Sequence, residues 1–451
     1  MDIDGLDEEF ITTDPDVLEA YRFDQAGLCP AGKPVALARP RHTDEVVRIL
    51  AYAHEHRVPV VPQGARTGLS GGANAVDGAI LLSLERMNRI LAIDEVNHTA
   101  TVQPGVVNSV LSAAVAEKNL FYPPDPGSWE SSTIGGNVAT NAGGLCCVKY
   151  GVTSDFVRAL EVVLADGRVL RTGTATAKGV AGYDLARLFT GSEGTLGVIT
   201  EVTLALRPAA EKPLTAIGFF PSPASACTAV TEYLSTGARP SILEFMDKVS
   251  VDAVSAYRDL GFPPDVGAVL IAQSDRGPHQ AAADLEAFAD AARACGATEV
   301  IVATDQAESD LLIEARRLVG VAMERLGERL VDDVCVPRSR LAELIEGVAA
   351  ISAEYDVLIP CAGHAGDGNI HPNVAFDRAD PDSVRRGQAA FDAIMDLGLR
   401  LGGTITGEHG VGTLKRSWLE TELGEVGVSV HQAVKRAFDP HGILNPGKVV
   451  R

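Results

Sequence analysis

Four glycine-rich segments crowd the first two hundred residues of this chain: PQGARTGLSGG (62–72), PPDPGSWESSTIGGNVATNAGG (123–144), KYG (149–151) and GSEGTLGVIT (191–200). Glycine lets a backbone approach a phosphate closely, and successive N–H groups in such turns form anion-binding nests. One such loop is an ordinary turn. Four together, interleaved with Ser and Thr, point to a phosphate-bearing cofactor. None has the G-x-G-x-x-G spacing of a dinucleotide fold or the G-x-x-x-x-G-K-[ST] of a P-loop. The cofactor must be held in some other way.

The length of 451 residues suggests two to three domains at about 150 residues each. A net charge of −21 argues against nucleic acid as a partner, because phosphate neutralisation needs Lys and Arg. The start, MDIDGLDEEF, lacks the basic and apolar regions of a secretory signal, and no apolar run is long enough for a transmembrane segment. A cytoplasmic chain is expected, or one peripheral to a membrane through a partner. Seven scattered cysteines without C-x2-C spacing imply neither a disulfide framework nor an iron–sulfur cluster.

From residue 35 helical and extended patterns alternate. TDEVVRILAYAHEH reads as an amphipathic helix: Thr43 is its expected N-cap, and Val46, Ile49, Leu50 and Ala53 form its apolar face. VPVVPQ, AILLSL, ATVQPGV and ALEVVLADGRVLRTG read as strands, the last folded at Asp166-Gly167, with NSVLSAAVAEKNL a helix between them. Beyond about residue 210 helical patterns dominate, for example AAADLEAFADAARACG and SDLLIEARRLVGVAMERLG. That shift sets the expected domain boundary near residue 210, and the pattern of the last segment, 411–451, leaves its role open. Its end, FDPHGILNPGKVV, is turn-rich and closes on a strand-like pair of valines.

The stretch HAGDGNIH (364–371) puts two histidines at the ends of a turn-forming Gly-Asp-Gly-Asn, flanked by apolar VLIPCAG and IHPNVAF. It reads as a hairpin with His364 and His371 roughly opposite each other on one face, placed to converge on an ion. Downstream, TGEHGVG supplies Glu408 and His409. Two histidines and one carboxylate leave metal positions open to water or substrate.

At these motifs the chain, from about residue 32 to Arg451, resembles the flavoproteins of the vanillyl-alcohol oxidase and p-cresol methylhydroxylase type. The resemblance implies an α+β fold: a two-part FAD-binding domain of the p-cresol methylhydroxylase type over 1–209, to which the C-terminal segment 411–451 returns, with an α+β substrate-binding cap domain over 210–410 carrying the metal site. It implies FAD contacts from Pro62, Gly64, Ala65, Arg66, Thr67, Gly68, Leu69, Ser70 and Gly71. Further contacts are implied from Pro124, Asp125, Pro126, Gly127, Thr133, Gly135, Gly136, Asn137, Thr140, Asn141, Gly143, Gly144 and Gly151, and from Gly194, Gly197, Val198, Ile199 and Asn445. Some members attach FAD through a histidine in the first loop; no histidine lies between Arg57 and Asn97, so non-covalent FAD is expected.

HAGDGNIHPN and TGEHGVG are similar to the D-2-hydroxy acid dehydrogenase branch. In that likeness His364, His371 and Glu408 bind a divalent metal, with Zn or Mn ahead of Fe, and His409 is the catalytic base that also contacts substrate. Arg316, with Arg317 as the alternative, anchors the substrate carboxylate, and Asn373 contacts substrate. Where the 2-hydroxyglutarate enzymes carry a lysine this chain has Val331, and DVCVPRSRLAEL and the C-terminal segment look like D-lactate dehydrogenase members. The expected reaction is oxidation of D-lactate to its 2-oxo acid, with the C2 hydride passing to flavin N5. The acceptor would be a cytochrome, an electron-transfer flavoprotein or a quinone-linked partner. Alternatives are a glycolate oxidase-type flavin subunit, a D-2-hydroxyglutarate dehydrogenase, an O2-using oxidase and a flavin-free metal hydrolase.

Overall fold

The structure, a computed structural model, describes residues 9–450; residues 1–8 of the acidic start and Arg451 lie outside the described residues. The chain divides into two compact units: Met1–Gly143, Val152–Ala209 and Glu408–Arg451 form one, and Gly144–Gly151 with Ala210–Gly407 form the other.

The first unit holds two main sheets. In one, Ala36–Ala38, Ile80–Ser83 and Val60–Gln63 run parallel, with Ile11–Thr12 antiparallel at the edge. Helix Thr43–His56 makes the crossover from Ala36–Ala38 to Val60–Gln63. Its Val46, Ile49, Leu50 and Ala53 are all fully buried, packed with Val60, Ile80, Val163 and Leu444. Fully burying a Val, Leu or Ile contributes about 1.5–3 kcal/mol each, which is why this stripe sets the helix's orientation. The cap differs from expectation. Helical geometry already begins at Thr43, His42 occupies the cap position without a side-chain bond, and the Thr43 hydroxyl donates instead to Glu161 at 2.8 Å. The second sheet is antiparallel, in the order Ile90–Asp94, Thr99–Val102, Val198–Ala205, Val157–Val163, Val169–Gly173. The last two form the hairpin turned at Asp166-Gly167.

The C-terminal segment acquires a role here. Val60 N–H donates to Ile443 O and Asn445 N–H donates to Val60 O, both at 2.8 Å, so the tail lies alongside strand Val60–Gln63. The final valines are not a strand: Val449 has φ +59° and its N–H donates to Gly412 O.

The second unit is built on one eight-stranded sheet whose pairs are antiparallel, in the order Glu299–Val302, Leu214–Phe220, Ala268–Ser274, Ile242–Asp247, Cys361–His364, Asn369–Phe376, Glu328–Val331, with Val334–Cys335 also on Asn369–Phe376. Ile217, Phe219, Ile242, Met246 and Ile271 bury against Val251, Val254, Ile313 and Val319 of helices Lys248–Tyr257, Gln306–Arg317 and Val319–Glu324.

Candidate active site

The HAGDGNIH stretch is a hairpin of strands Cys361–His364 and Asn369–Phe376, but its register differs from the one expected. His364 pairs with Asn369, and His371 pairs with Ala362. The turn closes tightly, with Asp367 and Gly368 N–H both donating to His364 O, and Gly368 takes φ +84° against the Val336 carbonyl. The histidines are therefore diagonal rather than opposite. Because side chains alternate with period two, residues 369 and 371 share a face, so both rings still emerge on the same side. They meet edge to face, with centroids 5.2 Å apart.

Two acidic residues absent from the sequence-based site organise these histidines. Glu244, on strand Ile242–Asp247, is 1% exposed. The register Phe245↔Gly363 carries it opposite His364, whose Nδ1 lies 2.7 Å from Glu244 Oε1. Arg316, in the last turn of helix Gln306–Arg317, donates from Nε to Glu244 Oε2 at 2.5 Å, while Arg317 is exposed. Burial pushes the Glu244 carboxyl up, but the charges and hydrogen bonds of His364 and Arg316 outweigh it and hold the group below its ordinary value. Asp333, fully buried, accepts from Asn369 Nδ2 at 3.0 Å and Thr406 Oγ1 at 2.6 Å, and sits 3.7 Å from His371 Nδ1. Both acids were findable in principle. A carboxylate inside an apolar strand such as ILEFMD, or the pair in RLVDDVCV, needs buried partners. Nothing local names those partners. Asn373, 8% exposed, donates from Nδ2 to His371 O at 2.8 Å and pairs across the sheet with Val331.

Gly407 N–H donates to Asp333 O at 3.0 Å, and Glu408 is the next residue along the chain. Glu408 and His409 open the last segment of the first unit, with His409 Nε2 3.8 Å from Glu408 Oε1. Gly143 lies against Glu408 so closely that a Cβ there would collide with its carboxylate. Beyond His409 the backbone is pinned by Glu193, whose carboxylate accepts from Val411 N at 2.7 Å and Gly412 N at 2.9 Å, and by Ser70 Oγ, which donates to Gly410 O at 2.7 Å. Burial drives the Glu193 carboxyl up to about 7, against the opposing pull of those N–H groups and of Lys415 and Lys448.

The chemistry of the donors fits a divalent ion. Asp333 with His371, and Glu408 with His409, each offer ligand atoms within 4.8 Å of one another. His409, expected as the base, is among these residues, whereas His364, expected as a ligand, is not; His364 Nδ1 is committed to Glu244.

Most of the residues expected around the cofactor belong to the first unit; Gly144 and Gly151 belong to the second. Pro62 lies in strand Val60–Gln63, and Gly194 packs on its ring. Gly64 abuts Thr133 and Gly136 so tightly that a Cβ would fill the space. Thr133 caps Ile134–Thr140 by accepting from Gly136 N–H, Thr140 Oγ1 donates to Gly136 O, and Asn141 takes φ +53° at its end. Asn137 Nδ2 donates to Ser132, and Pro124 O accepts from Asn108. Gly135 sits on Pro104, Gly197 on Val162, and Val198 and Ile199 open the strand that follows. Arg66 stacks over Tyr21 at 4.0 Å, 3.7 Å from Glu85. Asn445 uses Nδ2 to hold Gly72 O at 2.9 Å and Glu193 O at 2.7 Å, tying two glycine loops together. Its Oδ1 and Gln63 Oε1 are buried without a hydrogen-bond partner, as polar atoms lining a cofactor cradle would be.

Residues 34–173 match the FAD binding domain family, and residues 210–449 match the family described as FAD linked oxidases, C-terminal domain. The chain belongs to the FAD-linked oxidases. It is 45% identical to glycolate oxidase subunit GlcD of Bacillus subtilis (strain 168), over 92% of this chain and 89% of that one. It is 35% identical to D-lactate dehydrogenase of Anaerostipes hadrus, over 96% and 93%. Among solved structures, p-cresol methylhydroxylase (TM-score 0.81, 19% identity, 98% of this chain and 94% of that one) and 4-ethylphenol oxidase from Gulosibacter chungangensis (0.81, 21%, 98% and 94%) share its two-domain fold. Among the described residues no helix is long and apolar enough to cross a membrane.

Proposed function

We propose that this chain oxidises a short D-2-hydroxy acid, D-lactate first, to the 2-oxo acid, using non-covalent FAD and a divalent metal, Zn or Mn ahead of Fe, and passes the electrons to an external acceptor. The observation that carries the reading is the His364–His371 pair on one hairpin face, with His364 tied through Glu244 to Arg316. The relatives named D-lactate dehydrogenase and glycolate oxidase subunit support a hydroxy acid as substrate.

His364, His371 and Glu408 would hold the ion, with Asp333 beside His371. An alcohol proton near pKa 16 lies about nine units above a histidine's, a gap on the order of 12 kcal/mol that an imidazole alone cannot bridge. The ion would supply Lewis acidity, which lowers the pKa of coordinated water by roughly eight units. FAD would supply the two-electron sink for the C2 hydride. His409 takes the hydroxyl proton, Arg316 presents its guanidinium to the carboxylate, and Asn373 contacts the substrate. Val331, where a distal carboxylate would need a cation, favours a monocarboxylic acid.

The test is anaerobic: mix the FAD-loaded protein separately with D-lactate, L-lactate, glycolate and D-2-hydroxyglutarate and follow flavin absorption. Rapid bleaching by D-lactate alone is expected. The second reading, glycolate as substrate, is favoured by the higher identity to a glycolate oxidase subunit and would show as bleaching by glycolate. Absence of reduction by any of the four would refute both.

A further inference from the structure

Glu244 is 120 residues distant from His364 in sequence and 72 from Arg316, yet its two carboxylate oxygens are divided between them: Oε1 to His364 Nδ1 and Oε2 to Arg316 Nε. The carboxylate is 1% exposed and sits on an inner strand, flanked by Ala268–Ser274 on one side and Cys361–His364 on the other. It has no room to re-aim. A bond at Nδ1 fixes the histidine's tautomer and turns Nε2 outward, and it raises the basicity of the ring as a ligand. A bond at Nε fixes the plane of the guanidinium and leaves its outer edge for a second anion.

We infer that Glu244 is a positioning residue that sets the spacing between the hydroxyl-binding and carboxylate-binding ends of the substrate site. This rests on the reading of His364 as metal ligand and Arg316 as carboxylate anchor. A 2-hydroxy acid carries its hydroxyl and carboxylate on adjacent carbons; a 3-hydroxy acid separates them by one more. A single rigid carboxylate holding both anchors makes the site a ruler for the first and against the second. The same residue therefore serves ion affinity and regiochemistry at once, and no residue acting only on stability would couple the two.

The experiment compares wild type with Glu244→Gln, which keeps the side chain's volume but cannot accept from both partners as a carboxylate does. Zn2+ affinity of the FAD-loaded protein is read by chelator competition, and kcat and KM are read on 2-hydroxybutyrate and 3-hydroxybutyrate. Glu244→Gln is expected to bind Zn2+ about 10–100-fold more weakly, the range typical of such outer partners. It should also raise KM for the 2-hydroxy acid more than it lowers kcat, and reduce the 2- over 3-hydroxy preference in kcat/KM. If Glu244→Gln does not fold, Glu244→Asp, which keeps the charge but shortens the reach, is expected to show the same coupled losses. Wild-type Zn2+ affinity together with an unchanged preference in a folded variant overturns the inference. His364→Ala separates the two levels. If it too keeps wild-type Zn2+ affinity, the metal reading itself is wrong and the inference falls with it. If it loses Zn2+ while Glu244→Gln does not, the metal reading stands and only the role of Glu244 is refuted.

Discussion

Replacing Glu193 by Gln should remove a pH dependence of stability that can be sized from the structure. The carboxylate is 8% exposed, and burial raises its carboxyl from 4.5 to about 7. A folded-state value above the unfolded one means the folded chain binds the proton more tightly. Stability from this group is therefore fully present below about 4.5 and is lost as pH rises through about 7. A carboxyl raised from 4.5 to about 7 corresponds to roughly 3 kcal/mol in all. Some 2–3 kcal/mol of that falls between pH 5 and pH 8. Gln does not titrate. It also loses one acceptor for the Val411 and Gly412 N–H groups, a cost of about 1–3 kcal/mol that is present at both pH values and cancels in the comparison. Urea unfolding of wild type and Glu193→Gln at pH 5 and pH 8 should therefore show the variant gaining about 2–3 kcal/mol relative to wild type at the higher pH. An equal difference at both pH values would refute the burial argument for Glu193.

Three further outcomes are expected. His364→Ala and Glu408→Ala should each lose bound metal and turnover while retaining FAD, measured by metal analysis and flavin absorbance; full activity in both after metal removal would make the site structural. Val331→Lys, facing Asn373 across the strand pair, should raise kcat/KM for D-2-hydroxyglutarate relative to D-lactate, with the ratio of the two as the readout. Leu50→Ala, in the fully buried face of helix Thr43–His56, should cost about 2–5 kcal/mol in denaturant unfolding.

Features that depend on near neighbours were legible without coordinates. The apolar spacing of residues 46, 49, 50 and 53 marks a helix over 43–56, and all four side chains are buried there. The Asp166-Gly167 turn and the turn chemistry of residues 365–368 mark two hairpins, and both form. Even the shared face of His364 and His371 follows from the parity of a strand, which survives the two-residue difference in register. The glycine loops and the family resemblance led to FAD, and the domain matches agree.

What tertiary structure decided were the long-range pairings. Thr43 leaves the cap because Glu161, 118 residues away, offers its hydroxyl a carboxylate. The C-terminal tail has no periodicity of its own, since its backbone bonds are made to Val60. Arg316 differs from Arg317 only in which of them meets a buried acid, and that acid comes from a strand 72 residues earlier. A buried carboxylate must have partners, and sequence can say as much of Glu244 and Asp333. Which partners they find depends on strand order and register, and those are fixed by the packing of the whole sheet, because no local stretch contains both halves of the contact.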